Sequence, residues 1–141
     1  MRALVVLSAL ACGVAFGSNL MASQGQIDPK AGCRRNPGVV DRCRTVHGRL
    51  FVSNGTPSMR MWPVGTQRIL GVLPSEEELV PDVVKRHANF ETRLYGDFEV
   101  CPFTREKAGE MQFVCVESAS NLVAEQFVDG KDAPIVFRIR K

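Results

Sequence analysis

From Thr45 the chain alternates between apolar and polar positions. In "TVHGRLFVS" Val46, Gly48, Leu50 and Val52 interleave with His47, Arg49, Phe51 and Ser53, the pattern of a half-buried strand. Asn54-Gly55 follows directly, a dipeptide that favours the positive φ angles of a tight hairpin turn. The return strand is "SMRMW", with Met59 and Met61 on one face and Ser58, Arg60 and Trp62 on the other. Pro57 belongs at that strand's beginning or edge, because it cannot donate to a ladder. Pro63-Val64-Gly65 turns the chain again and "TQRILGVL" supplies a third strand, so the first half is expected to be a meander.

At "LPSEEELVPDVVKRH" the period changes. Ser75 can cap a helix, Glu78 completes a capping box, and the acids suit the positive end of the helix dipole. Pro81 excludes one continuous helix, so two short turns are expected, the second begun by Pro81. Beyond it "NFETRLYGDFEVCPF" alternates Phe90, Thr92 and Leu94, then Phe98 and Val100, one long strand kinked or bulged near Gly96. "EMQFVCVE" is its hairpin partner, "SASNLVAEQF" suits either a strand or a helical turn, and "IVFRIR" is a final strand with Ile135, Phe137 and Ile139 inward. Centring the hairpin on Ala108 sets Cys101 opposite Cys115, Val100 opposite Val116 and Phe103 opposite Phe113. It also sets Glu99 against Glu117, an unfavourable pair.

The expected fold is therefore mainly β: a small barrel or sandwich of about five to six antiparallel strands with one short helical segment, in an OB-like order. The expected organisation is a signal peptide over residues 1–17 (cleavage possible as late as 22), an exposed lead-in over 18–43, and a single β-rich domain over 44–141. The signal reading rests on "MRALVVLSALACGVAFGSNLMAS", with a basic start at Arg2, an apolar run from Ala3 to Phe16 and small residues after it. That run is shorter than the roughly 20 apolar residues of a transmembrane helix. The chain is accordingly expected to be exported, either periplasmic or secreted.

Composition sharpens this picture in two respects. Removal of the signal takes Cys12 and leaves Cys33, Cys43, Cys101 and Cys115, an even set that predicts two disulfides in an oxidising compartment. Their spacing does not resemble a zinc knuckle. Opposed residues of a non-hydrogen-bonded pair have Cα atoms about 4.5 Å apart, within the disulfide range of about 4.4 to 6.8 Å. Of the pairings open to these cysteines, Cys101 with Cys115 and Cys33 with Cys43 is therefore the first choice. Charge is the second respect. The formal net charge is +3, or +2 without Arg2, which does not call for a polyanion, and nucleic acid is not the expected partner. Asp28 to Arg68 carries eight bases and two acids, Ile69 to Asp129 twelve acids and five bases, and Gly130 to Lys141 four bases and one acid.

No hydrolase elbow, phosphate loop, dinucleotide fingerprint or metalloprotease helix occurs. His47 and His87 have no local partner for acid-base work, no Cys-x-x-Cys is present, and Glu76 to Glu78 lack the glycine of a calcium loop. No enzyme, cofactor or metal is expected. The candidate ligand-binding residues are Arg49, Phe51, Arg60, Trp62 and Arg68. Arginines among aromatic rings suit a sugar or single-stranded nucleic-acid surface, although a tight turn would set Arg49 against Arg60. The plainer reading has Trp62 covering one end of a barrel while the arginines pair with the acid-rich second half. The expected function is a non-enzymatic domain binding an envelope protein or ligand through this basic-aromatic face. The alternative is an accessory or inhibitor-like protein contacting a secreted enzyme through Glu76 to Asp82.

The phrases "RTVHGRLFVSNGTPSMRMWPVGTQRILGV" and "GDFEVCPFTREKAGEMQFVCVESASNLV" resemble small exported proteobacterial proteins, over Arg44 to Val123. The resemblance implies an envelope location and a compact β-rich domain. It implies no activity, site residue or partner.

Overall fold

The computed structural model describes residues 32–73 and 79–140. The expected signal segment, most of the lead-in, and the capping box at Ser75 and Glu78 lie outside them. A 3-10 turn, Cys33–Arg35, precedes β1 (Arg44–Val52), β2 (Met59–Pro63), β3 (Leu70–Val72), α1 (Asp82–His87), β4 (Thr92–Pro102), β5 (Gln112–Gln126) and β6 (Ile135–Arg138). The strands form one sheet in the order β3-β2-β1-β4-β5-β6. All neighbours in that order are antiparallel. A parallel pairing of β3 with β5, Leu70 opposite Gln112, brings the first five strands round on themselves. With only Leu70–Val72 in β3, the result is ring-like rather than a true barrel.

The alternation read in the sequence decides what fills the ring. Leu50, Met61, Leu70, Leu94, Phe98, Val100, Val114, Val116 and Leu122 point inward and are buried in one cluster. Val84 of α1 and Val80 before it close that cluster. Pro81 occupies the N-cap of α1, so the helix starts where proline's fixed φ permits. "SASNLVAEQF" resolves as strand, since β5 continues to Gln126. The final strand departs from expectation: Ile135 and Phe137 are exposed, and only Ile139 packs against the core. β6 lies beyond the ring and, among the described residues, is bonded to β5 alone, so little of the described chain covers its inward face.

The first hairpin is longer than Asn54-Gly55 predicts. The connection spans 53–58, contains a cis peptide at Thr56-Pro57, and closes with the Ser53 amide donating to the Ser58 carbonyl at 2.9 Å. The longer connection slides the register by a full pleat, so each face keeps its side chains while their partners change. Arg49 stands opposite Trp62 and Phe51 opposite Arg60. The expected Arg49 and Arg60 confrontation does not occur.

The β4 and β5 hairpin has the expected register, with Cys101 opposite Cys115 and Val100 opposite Val116. The Phe103 amide donates to the Phe113 carbonyl. Two irregularities adjust it. Glu99 stands opposite Ser118, because Glu117 is an extra residue on β5, and this bulge removes the Glu99 and Glu117 clash. Glu117 instead accepts the Arg34 amide at 3.1 Å. The second bulge lies opposite Gly96, where Asn121 and Leu122 are fitted between Ser120 and Val123. A Cβ on Gly96 would lie 2.7 Å from the Ser120 carbonyl oxygen and 2.7 Å from a Leu122 methyl. The kink near Gly96 is therefore present, but the extra residue belongs to the opposite strand.

The disulfides connect Cys33 to Cys115 and Cys43 to Cys101, correcting the expected pairing. Cys101 and Cys115 are opposed as expected, yet each reaches into the segment before β1 instead of across the hairpin. The ladder already holds the hairpin closed, whereas residues 32–43 carry no strand of their own among the described residues. The observed bridges span sequence separations of 82 and 58. In the chain-entropy account such loops stabilise by about 4 kcal/mol each, against about 3 kcal/mol for a loop of about 15 residues. Two disulfides point to an oxidising, non-cytoplasmic environment. Among the described residues no helix is long and apolar enough to cross a membrane.

Two outcomes are expected. Non-reducing proteolytic mapping should recover Cys33 with Cys115 and Cys43 with Cys101, and a Cys33 with Cys43 peptide would contradict the fold. Gly96→Ala should lower unfolding stability by about 2 kcal/mol in urea, as overpacking against backbone does; an unchanged midpoint would mean that the bulge does not need glycine.

Candidate functional site

The stretch Ser53 to Thr66 consists of two turns, each fastened by a side chain of the strand between them. Arg60 bends back over the first: its Nε donates to the Pro57 carbonyl at 3.0 Å and its terminal nitrogen to the Asn54 carbonyl at 3.3 Å. Trp62 fastens the second, its indole N–H donating to the Thr66 carbonyl at 2.6 Å. The Thr66 hydroxyl in turn donates to the Pro63 carbonyl at 2.8 Å, and Gly65 supplies the positive φ of 81°. Arg60 is thus committed to the fold. Arg68 is committed as well, bridging to Glu106 and donating to the Gln112 side chain, where it joins the β2–β3 connection to the β4–β5 loop.

Arg49 is placed differently. Its guanidinium carbon lies 4.8 Å from the Trp62 ring centroid and 5.6 Å from that of Phe51. The cross-strand pairing brings Trp62 to it, and Phe51 is its same-face neighbour two residues along the strand. Its Nε is buried without a hydrogen-bond acceptor, and no carboxylate pairs with it among the described residues. On its other side Arg49 stands in register with Tyr95 of β4. Of the sequence candidates, the structure therefore brings Arg49, Phe51 and Trp62 together, and leaves Arg60 at one turn and Arg68 at a separate loop junction.

One row farther along β1, His47 finds the partner that local sequence withheld. Asp97 lies opposite it on β4, with the His47 Nδ1 2.9 Å from a carboxylate oxygen. The other Asp97 oxygen accepts a hydrogen bond from the Asn121 amide at 2.7 Å. Asn121 can reach it because it sits in the β5 bulge with φ +54°, a conformation asparagine tolerates better than most residues. These bonds, Asn121 first and His47 second, hold the Asp97 carboxyl below its ordinary value of 3.8. The arrangement fixes the imidazole by its Nδ1. No hydroxyl or thiol is hydrogen-bonded to His47 among the described residues. No group of three or more His, Cys, Asp or Glu side chains there is placed to hold a metal ion. Asp97 and Asn121 escaped sequence reasoning because their meeting with His47 depends on a strand pairing between residues fifty apart, His47 and Asp97, and because the bulge that Gly96 signals carries its extra residue on β5.

The basic and acidic segments also meet: Arg34 bridges to Glu99 and Arg68 to Glu106. Within the acid-rich segment Arg93 bridges to Glu125. Arg93 also covers the Phe127 ring, its guanidinium carbon 4.3 Å from the centroid. No protein-family model, curated protein or solved structure matches the chain.

Because the folded-state titration of Asp97 is depressed, its ionised form adds stability above the unfolded value, and that contribution is lost as pH falls through the folded value. Asn121→Gly keeps the backbone conformation and removes the larger cause. In an NMR titration it should move the Asp97 midpoint up toward 3.8, by more than His47→Ala does. Identical midpoints in all three proteins would show that these bonds do not set the carboxyl's acidity.

Proposed function

We propose that the protein is an exported, non-enzymatic binding domain that holds an anionic component of the cell envelope against the outer face of β1 and β2. The observation carrying this reading is the Arg49 guanidinium in contact with the Trp62 and Phe51 rings, with no carboxylate paired to it among the described residues. A guanidinium stacked on rings keeps its planar fork and full charge, and its remaining N–H donors match a carboxylate or phosphate in pairs. The flanking rings offer apolar contact to the body of the same ligand.

Two further features support the reading. The disulfides suit a compartment outside the cytoplasm. A helix between the third and fourth strands and a ring of five strands suit an OB-like order, an architecture whose strand face and adjoining loops carry oligonucleotides and oligosaccharides. Among those ligand classes, a modest net charge of +3 favours a short anionic glycan over a polyanion.

Trp62 is the chain's sole tryptophan, so its emission reports directly on the stack. Oligosaccharides bearing carboxylates or phosphates should change that emission saturably, more weakly at high salt, while maltohexaose should not. Arg49→Gln should lower the affinity at least about tenfold, the loss of a charge-assisted pair, with thermal unfolding unchanged. Equal response to charged and neutral sugars, or undiminished binding by Arg49→Gln, would refute the assignment.

A further inference from the structure

The corner where β5 ends and β6 runs beside it gathers most of the large exposed apolar side chains of the described residues: Phe90, Phe127, Val128, Ile135, Val136 and Phe137. Phe90 is 66% exposed and Val136 62%. Monomeric surfaces rarely leave so many apolar groups together without a use for them. The strand beneath them is also an open edge among the described residues. Among those residues β6 is bonded to β5 alone, and the Ile139 amide donates to the Leu122 carbonyl at 2.9 Å. By the alternation of an antiparallel ladder, the backbone groups of Ile135 and Phe137 then also face β5. Those of Val136 and Arg138 face outward, toward no strand among the described residues.

The two sides of this edge differ in chemistry. Ile135 and Phe137 stand on the side of α1, where the Phe137 ring meets His87 edge-on at 6.2 Å. Val136 and Arg138 stand on the other side, in register with Glu125 and Val123. Arg138 and Arg140 have no ion-pair partner among the described residues.

We propose that β6 is a docking edge for an extended segment of a partner protein whose side chains alternate between apolar and acidic. Its backbone would extend the sheet by one strand. Its apolar side chains would meet Ile135 and Phe137 on one face, and its carboxylates would meet Arg138 and Arg140 on the other. Outward N–H and C=O groups select a peptide over a lipid surface, because hydrocarbon returns no hydrogen bonds to them. The arginines select against a second copy, which would bring another like-charged pair to the same edge. This surface is separate from the Arg49 stack and does not depend on the reading of that face.

The test is an NMR titration of the protein with a short capped peptide alternating valine and glutamate, beside one alternating valine and lysine. The glutamate peptide should saturate and shift the amides of Val136 and Arg138, and the lysine peptide should not. Val136→Pro removes an outward N–H that the β5 ladder does not use, and should weaken binding at least about tenfold, as should the double reversal Arg138→Glu with Arg140→Glu. If the proline variant fails to fold, the double reversal decides. Arg49→Gln should leave the peptide affinity unchanged. Absence of saturation, equal binding of the lysine peptide, or undiminished binding by the double reversal would overturn the proposal. So would a wild-type dimer in sedimentation velocity that the double reversal alters, or binding to phosphatidylglycerol vesicles without binding to the peptide.

Discussion

The pairing of β4 with β5 fixes the place of nearly everything else. Each is longer than any other strand in the sheet, and between them they carry the partner of β1, the partner of β6 and the parallel contact to β3. Both disulfides end on this hairpin, at Cys101 and Cys115. A slip of one residue along it would turn Leu94, Phe98, Val100 and Val116 from the core toward water. The bulges are what allow so long a ladder to bend into a ring while keeping those side chains inside.

Much of this was legible because it is local. The alternation in "TVHGRLFVS" and "IVFRIR", the proline at the start of α1, and the hairpin centred on Ala108 are all written in neighbouring residues. What the letters withheld depends on distant partners. Asn54-Gly55 suggests a tight turn, but a longer connection forms, and it sets Arg49 on Trp62 instead of Arg60. The inward face of β6 is apolar in sequence, yet lies beyond the ring that would have buried it. The cysteine pairing could not be inferred from the hairpin alone, because the segment that competes for Cys101 and Cys115 arrives from before β1.

The outer face shows a division of labour among similar residues. Arg60 and Trp62 adjoin in the same strand, and each ties a turn through a backbone carbonyl. Arg68 joins two loops. Arg49 alone of these cations is held by rings without a carboxylate among the described residues. Its row continues across the sheet through Tyr95 and Val123 to Arg138, so the aromatic stack and the open edge occupy opposite ends of one line of side chains. Asp97, Asn121 and His47 lie beside that line, with the bulge opposite Gly96 supplying the geometry.

The bridges are nested: the pair formed by Cys43 and Cys101 lies wholly within the loop closed by Cys33 and Cys115. A chain threaded into an oxidising space from its N-terminal end would present Cys33 and Cys43 to one another long before either native partner arrived. Joining consecutive cysteines would then be the easy product and the wrong one. Reaching the nested arrangement from it requires thiolate attack and exchange through a mixed disulfide. The yield of correctly assembled protein would therefore follow the supply of disulfide isomerase activity in that compartment, and not its oxidising power alone.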